Sequence, residues 1–248
     1  MISIDNEMVE YKKLFCPDQL KQIYFECALH LNDLNELVEY FPNLKRINIK
    51  FYGGPVRYDG PNLSNLKIFE FSVDEWYDDH NAFHVMDFCP SLESAYINGE
   101  SDDEFANMAQ KNYSLRNLVI ETVSIRLSNL AWPFLRKLLP KYPNLHNLAI
   151  RGEDAIRDIH VKELVKLLPK VELFDFRRCD NITRRSADFL SEYCRESNRS
   201  IKIYYDCEEE PIDWPKLDTP RESIVYGFDF MKHCFYKRFS CLPHLIDE

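Results

Sequence analysis

One short pattern of apolar positions keeps returning along the chain: a leucine-like residue, two variable positions, an apolar residue, one variable position and a second apolar residue. It runs through Leu20/Ile23/Phe25, Leu44/Ile47/Ile49, Leu66/Phe69/Phe71, Leu92/Ala95/Ile97, Leu115/Leu118/Ile120, Leu145/Leu148/Ile150 and Val171/Phe174/Phe176, with a degenerate eighth copy ending in Ile201/Ile203. Successive leading positions lie 22 to 30 residues apart. The two closing apolar residues are two positions apart, so each copy predicts a short strand with one apolar face, its intervening side chains pointing the other way. Between copies the apolar spacing turns helical, as in Leu31, Leu34, Leu37 and Val38, in Leu130, Phe134, Leu135 and Leu138, and in Val161, Leu164, Val165 and Leu168. Pro42, Pro90, Pro143 and Pro169 each stand two residues before a leading position, where proline ends the preceding helix.

A strand and a helix of this length cannot bury their own apolar sides, so the units must stack, with neighbouring strands parallel. The pattern predicts an α/β solenoid of seven or eight repeats over residues 16–207, preceded by an N-terminal extension, 1–15. From Glu208 the pattern stops. An acidic stretch punctuated by Pro211, Pro215 and Pro220 leads to an aromatic tail with Phe228, Phe230, Phe235, Tyr236 and Phe239. Residues 208–248 are read as the cap that a solenoid needs over the apolar end of its last repeat, with a partner-docking segment as the alternative.

The run Val171-Glu-Leu-Phe174-Asp-Phe176-Arg-Arg-Cys179-Asp-Asn-Ile182-Thr183, followed by Leu190 and Cys194, resembles the cysteine-containing leucine-rich repeats of F-box proteins. Cys89-Pro90-Ser91-Leu92 and Cys16-Pro17 are similar to the Cys-Pro step into a strand in the same repeats, while the other copies lack the cysteine. The resemblance implies a horseshoe with a parallel inner sheet and helices on the convex side. It also implies substrate recognition for a cullin-type ubiquitin ligase, with a cullin adaptor as a second partner. The adaptor-binding helical segment of such proteins is not evident: Pro17-Asp18-Gln19-Leu20, with Ile23 and Tyr24, echoes its opening but already serves as the first repeat. A free-standing repeat scaffold and an enzyme-inhibiting horseshoe are the alternatives.

Composition narrows the partners. A formal net charge of -10 repels polyphosphate and anionic lipid, which excludes nucleic acid and membrane as main partners. The six glycines form no phosphate-cradling loop. The first fifteen residues carry Asp5, Glu7 and Glu10 and no apolar core of a secretory signal, and no apolar run reaches the ~18 residues that span a bilayer. An intracellular protein, cytoplasmic or nuclear, with its eight cysteines reduced is expected, and the sequons at Asn62, Asn112, Asn181 and Asn198 are then without consequence.

Candidate chemistry is sparse. His80 and His84 have the spacing of one helix face but no third ligand, and His233, Cys234, Cys241 and His244 are of zinc-binding types without paired Cys-x-x-Cys spacing. Cys179, Cys194 and Cys207 read as packing residues. No nucleophile motif such as Gly-x-Ser-x-Gly occurs, so neither an enzyme, a metal nor a cofactor is indicated.

What remains is the open strand face. Its first column should hold Gln22, Arg46, Ile68, Ser94, Asn117, Asn147, Leu173 and Ser200; its second, Tyr24, Asn48, Glu70, Tyr96, Val119, Ala149, Asp175 and Lys202; its third, Glu26, Lys50, Ser72, Asn98, Glu121, Arg151, Arg177 and Tyr204. Tyrosine and arginine dominate protein interfaces because they cover large amphipathic area. Tyr24, Arg46, Tyr96, Arg151, Arg177, Lys202 and Tyr204 are therefore the expected partner-binding residues, with Tyr96 as anchor. Arg151, Arg177, Lys202 and Arg178 gather positive charge at one end, suited to an acidic or phosphorylated segment of a protein partner.

Overall fold

The structure is a computed structural model that describes residues 3–4, 11–51, 57–73, 82–99, 105–122, 132–207, 229–244 and 246. Among the described residues nine strands form one all-parallel sheet in strict chain order: β1 (Ser3–Ile4), β2 (Gln22–Leu29), β3 (Arg46–Phe51), β4 (Ile68–Val73), β5 (Ser94–Asn98), β6 (Asn117–Glu121), β7 (Asn147–Arg151), β8 (Leu173–Asp175) and β9 (Lys202–Tyr204). Each recurring phrase is one strand, and the sheet begins earlier, with Ser3 paired to Tyr24. Helices α1 (Tyr11–Leu14), α2 (Leu31–Tyr40), α3 (Ala82–Asp87), α4 (Trp132–Leu138), α5 (Asp158–Leu167) and α6 (Arg184–Ser197) occupy connections between strands. Of the residues with helical spacing, Leu130 lies outside the described residues.

The register is what separates the two faces. From β3 to β7 the pairing is unshifted: Ile47, Phe69, Ala95, Leu118 and Leu148 stand side by side, and so do Ile49, Phe71, Ile97, Ile120 and Ile150. These rows pack with the leading residues, such as Leu44, Leu92 and Leu145, and with the apolar sides of α2 (Leu34, Leu37) and α5 (Val161, Leu164) in one continuous core. The prolines end the helices as expected, α2 two residues before Pro42 and α5 two before Pro169.

At three repeats an asparagine that precedes the leading leucine ties the repeat to the one before. Asn43 donates to Asp18 (2.8 Å), Asn65 to the Pro42 carbonyl (3.1 Å) and Asn144 to the Tyr113 carbonyl (2.8 Å). Asp158 links α5 to α6 in the same way, accepting from Thr183 N (2.9 Å), Thr183 Oγ1 (2.7 Å) and Ser186 Oγ (2.6 Å). Burial pushes its carboxyl up, but these bonds outweigh it and hold the pKa below the usual range.

Two local departures from the expected register occur. The eighth strand pairs Leu173 with Lys202 and Asp175 with Tyr204, so Lys202 belongs to the first column and Tyr204 to the second, two residues off the expected assignment. Ile203 and Tyr205 alternate as well as Ile201 and Ile203 do, and in the structure Ile203 stands beside Phe174 of the core row. Between β2 and β3 an irregularity after Tyr24 sets Ala28, not Glu26, beside Lys50.

Just after β7 the chain needs glycine. Gly152 has φ +69°, and a Cβ there would lie 2.5 Å from the Thr122 carbonyl oxygen. Gly152→Ala should therefore cost more than the ~1–2 kcal/mol of the left-handed conformation alone, read as a lowered urea midpoint. A loss within about 0.5 kcal/mol, that of a neutral surface change, would contradict this backbone path.

Candidate functional site on the covered sheet face

The second face of the sheet carries the expected columns, and on it the pleat sets polar and charged side chains beside an apolar strip. It is not open. Residues 230–246 lie across it, and Phe230, Cys234, Phe235, Tyr236, Leu242 and Ile246 form a second apolar cluster with the face residues Ile68, Tyr96, Val119, Ala149 and Leu173. The aromatic tail thus covers the face of the sheet, whereas the sequence pattern places it over the last repeat's apolar end.

The segment contains a single π-helical turn, Met231–Phe235, and a short 3₁₀ turn, Phe239–Cys241. Its contact with the sheet is made by side chains of the face reaching its main chain. Arg151 donates to the carbonyls of Phe235 and Lys237 (2.9 Å for the latter), and Arg177 to that of Tyr236 (2.8 Å). The Tyr96 hydroxyl lies 2.9 Å from the Lys237 carbonyl and bonds the Glu121 carboxylate. At the other end Arg46 donates to the carbonyls of Pro243 (2.6 Å) and His244 (3.4 Å), and Gln22 exchanges bonds with the backbone of Ile246. A helical turn leaves its last carbonyls without partners in the turn, and here the guanidinium groups supply donors to them.

Under the segment the charges are paired. Arg46 holds Glu70 through Nε and Nη2 (3.0 and 2.7 Å), and Cys234 Sγ donates to the other oxygen of Glu70 (3.1 Å). Asp175 takes Arg151 (2.9 and 2.6 Å) and Arg177 (2.9 and 2.8 Å) together. Burial pushes the Asp175 carboxyl up, but the Arg151 and Arg177 guanidinium groups outweigh it and hold the pKa below the usual range. Burial, with Glu121 adding and Arg151 opposing, keeps the Tyr96 hydroxyl protonated, and burial with Glu70 does the same for the Cys234 thiol. Glu121 is further held by Arg178, which adopts φ +59°, and it accepts from Phe239 N (3.1 Å).

Of the seven expected partner-binding residues, Arg46, Tyr96, Arg151 and Arg177 are buried by the segment, Tyr24 stacks on His244 (4.3 Å between ring centroids), and Tyr204 meets the Tyr236 ring edge-on at 6.0 Å. Lys202 stands apart: it is exposed and lines an open cleft of about 560 Å³ with Lys170, Arg199, His146 and Glu172. The expected positive patch is therefore divided, because Arg151 and Arg177 share Asp175 and Arg178 pairs with Glu121. Sequence reasoning gave no role to Glu70, Glu121 or Gln22, nor to the carbonyls of 235–237 as ligands.

The zinc-type residues do not converge, since Cys234 bonds Glu70 and His244 stacks on Tyr24; among the described residues no group of three or more His, Cys, Asp and Glu can hold a metal. His80 lies outside the described residues, and His84 is buried with Nε2 3.1 Å from the Tyr58 carbonyl. Cys16, Cys89, Cys179, Cys194, Cys207, Cys234 and Cys241 are free thiols. No described helix is long and apolar enough to cross a membrane.

His233 makes the segment's hold sensitive to pH. Its side chain is buried, and its Nε2 has no hydrogen-bond partner among the described residues. Burial, joined by Lys232, Lys237 and Arg46 and opposed by Asp229, lowers its pKa to about 4. A histidine in water titrates near ~6.5, so docking is fully favoured above that pH and weakens as the pH falls from there towards 4. Between pH 7 and 5 the protection of the Phe239 amide against hydrogen exchange, relative to Ile150, should fall on the order of ten-fold. Equal relative protection at both pH values, or the same fall in His233→Gln, would contradict this.

The chain matches no protein-family model, and no curated protein is significantly similar to it.

Proposed function

We propose that this chain is a non-catalytic protein-interaction module of the leucine-rich repeat class, a horseshoe whose concave surface is the second face of the sheet. The observation that carries the reading is what the face binds already. Side chains on four strands and the β8–α6 connection reach six main-chain carbonyls, those of Phe235, Tyr236, Lys237, Pro243, His244 and Ile246, so the face holds a polypeptide by its backbone. Aromatic side chains then fill the apolar strip between the charged groups. This is the chemistry of a peptide-docking surface, with arginine and tyrosine as anchors.

The narrower form is substrate recognition for a cullin-type ubiquitin ligase, supported by the run from Val171 to Thr183 with Leu190 and Cys194 and by the Cys-Pro steps. A free-standing scaffold is favoured by one observation: Pro17–Leu20, the nearest echo of an adaptor-binding segment, leads straight into β2, with Leu20 in the repeat core.

Affinity capture with the full chain tests both. The ligase reading requires a cullin adaptor among the captured proteins, and protein recognition on the face requires that a Tyr96→Ala, Arg151→Glu, Arg177→Glu chain, shown by circular dichroism to stay folded, lose a substrate partner. Capture of that partner without adaptor supports the scaffold. Identical capture by both chains would contradict the concave-face assignment.

A further inference from the structure

We infer that residues 230–246 are an exchangeable occupant of the sheet face, and that the partner segment displacing them is a polypeptide turn with two adjacent aromatic residues followed by an acidic one. This rests on the reading of the face as a polypeptide-docking surface and adds what docks there and what it must displace.

The two faces differ in a way that argues for exchange. Opposite the helices, the sheet positions are apolar throughout, and uncovering them would unfold the protein. Beneath the segment lie the charged side chains of Arg46, Glu70, Glu121, Arg151, Asp175 and Arg177, all buried, and Arg46, Glu121, Arg151 and Arg177 bond the main chain of the segment directly. Taking such charges out of water opposes docking even when they are paired, and this largely offsets the stabilisation from apolar burial. On release these groups regain water and keep their ion pairs, while the face strip of Ile68, Tyr96, Val119, Ala149 and Leu173 is uncovered together with the segment's own apolar side chains, and the aromatic residues of an incoming partner cover the strip again. The segment adds no strand to the sheet, so no ladder breaks when it leaves.

The bonding pattern also defines what competes. Six main-chain carbonyls are held, and any chain in the same turn can present them. The selective part is the aromatic pair: Phe235 lies beneath the Arg151 guanidinium (5.8 Å to the ring centroid), and Tyr236 meets Tyr204. Around the carbonyls of 235–237 three guanidinium groups, Arg151, Arg177 and Arg178, face two carboxylates, Asp175 and Glu121, which leaves one positive charge in excess. The segment answers it with carbonyl dipoles, and its residues 231–240 include no acidic side chain. A partner with Asp or Glu at the position of Lys237 adds a charge interaction that the segment lacks.

The test uses the full chain with Phe235→Ala and Tyr236→Ala, which loosens the segment and leaves the face untouched. Two fluorescent peptides spanning residues 229–247 serve as probes, one of native sequence and one with Lys237→Glu. In anisotropy titrations the native peptide should bind the loosened chain at least ten-fold more tightly than the wild-type chain. The Lys237→Glu peptide should bind at least three-fold more tightly than the native peptide, and lose that advantage when Arg151→Gln and Arg177→Gln are added. No binding to a loosened chain that keeps wild-type exchange protection in β5–β7 would overturn the exchange, and equal binding of the two peptides would overturn the acidic partner. Hydrogen exchange on the wild-type chain guards against a misfolded variant: the Lys237, Phe239 and Leu242 amides should exchange at least ten-fold faster, relative to intrinsic rates, than Ile120 and Ile150. Equal protection would mean that the segment leaves only on global unfolding, which contradicts the inference. Peptide exchange without any captured partner would stand while the interaction reading failed; a fixed segment beside adaptor capture would reverse that outcome.

Discussion

An unshifted parallel ladder from β3 to β7 is the constraint on which everything else in this protein depends. A strand's side chains alternate, so a fixed register sends every second residue of every repeat to the same side. On one side this lines up Ile, Leu and Phe into rows that the helices cover. On the other it lines up Arg46 beside Glu70 and Arg151 beside Asp175, one strand over and one pleat along. A slip of one residue would bury the guanidinium groups among leucines and expose the core rows to water. The asparagine bonds between repeats reinforce the same alignment from the loops.

The second face is covered in a different manner from the first. Helices bury the first face with aliphatic side chains, while residues 230–246 bury the second with aromatic rings between bonds to their own carbonyls. Asp175 has a central place in this cover. It orients Arg151 and Arg177 so that their remaining N–H groups point at three successive carbonyls, those of Phe235, Tyr236 and Lys237. Without the carboxylate, two like charges would share one buried site, at a cost of about 3–5 kcal/mol. The desolvation of ionised groups makes the segment a weaker lock than its many bonds imply, and places it among the elements that open first.

The repeat, its period and the two-faced strands were legible in the sequence because they rest on local alternation of apolar residues, which seven copies average. The eighth was misplaced by two residues, since Ile201, Ile203 and Tyr205 alternate without a leucine to fix the phase. The residues of the face were legible as columns, but their pairing was read as an open patch. Arg151 meets Phe235 from 84 residues away, and no periodicity in 228–242 announces where that stretch docks. A usable signal was present in neighbouring columns: Arg46 next to Glu70, and Arg151 next to Asp175, are opposite charges brought together by the register itself. Paired in that way they no longer form an open cationic patch, and their spare donors suit a backbone.

The placement of residues 230–246 on the sheet face is the claim that everything functional here rests on. Photo-crosslinking tests it most directly, with benzoylphenylalanine in place of Phe235 in the full chain and adducts mapped by mass spectrometry at a concentration where the protein is monomeric. The account requires intramolecular adducts in β6–β8, around Val119, Ala149 and Leu173. Adducts on the helices, or none within the chain, would contradict it.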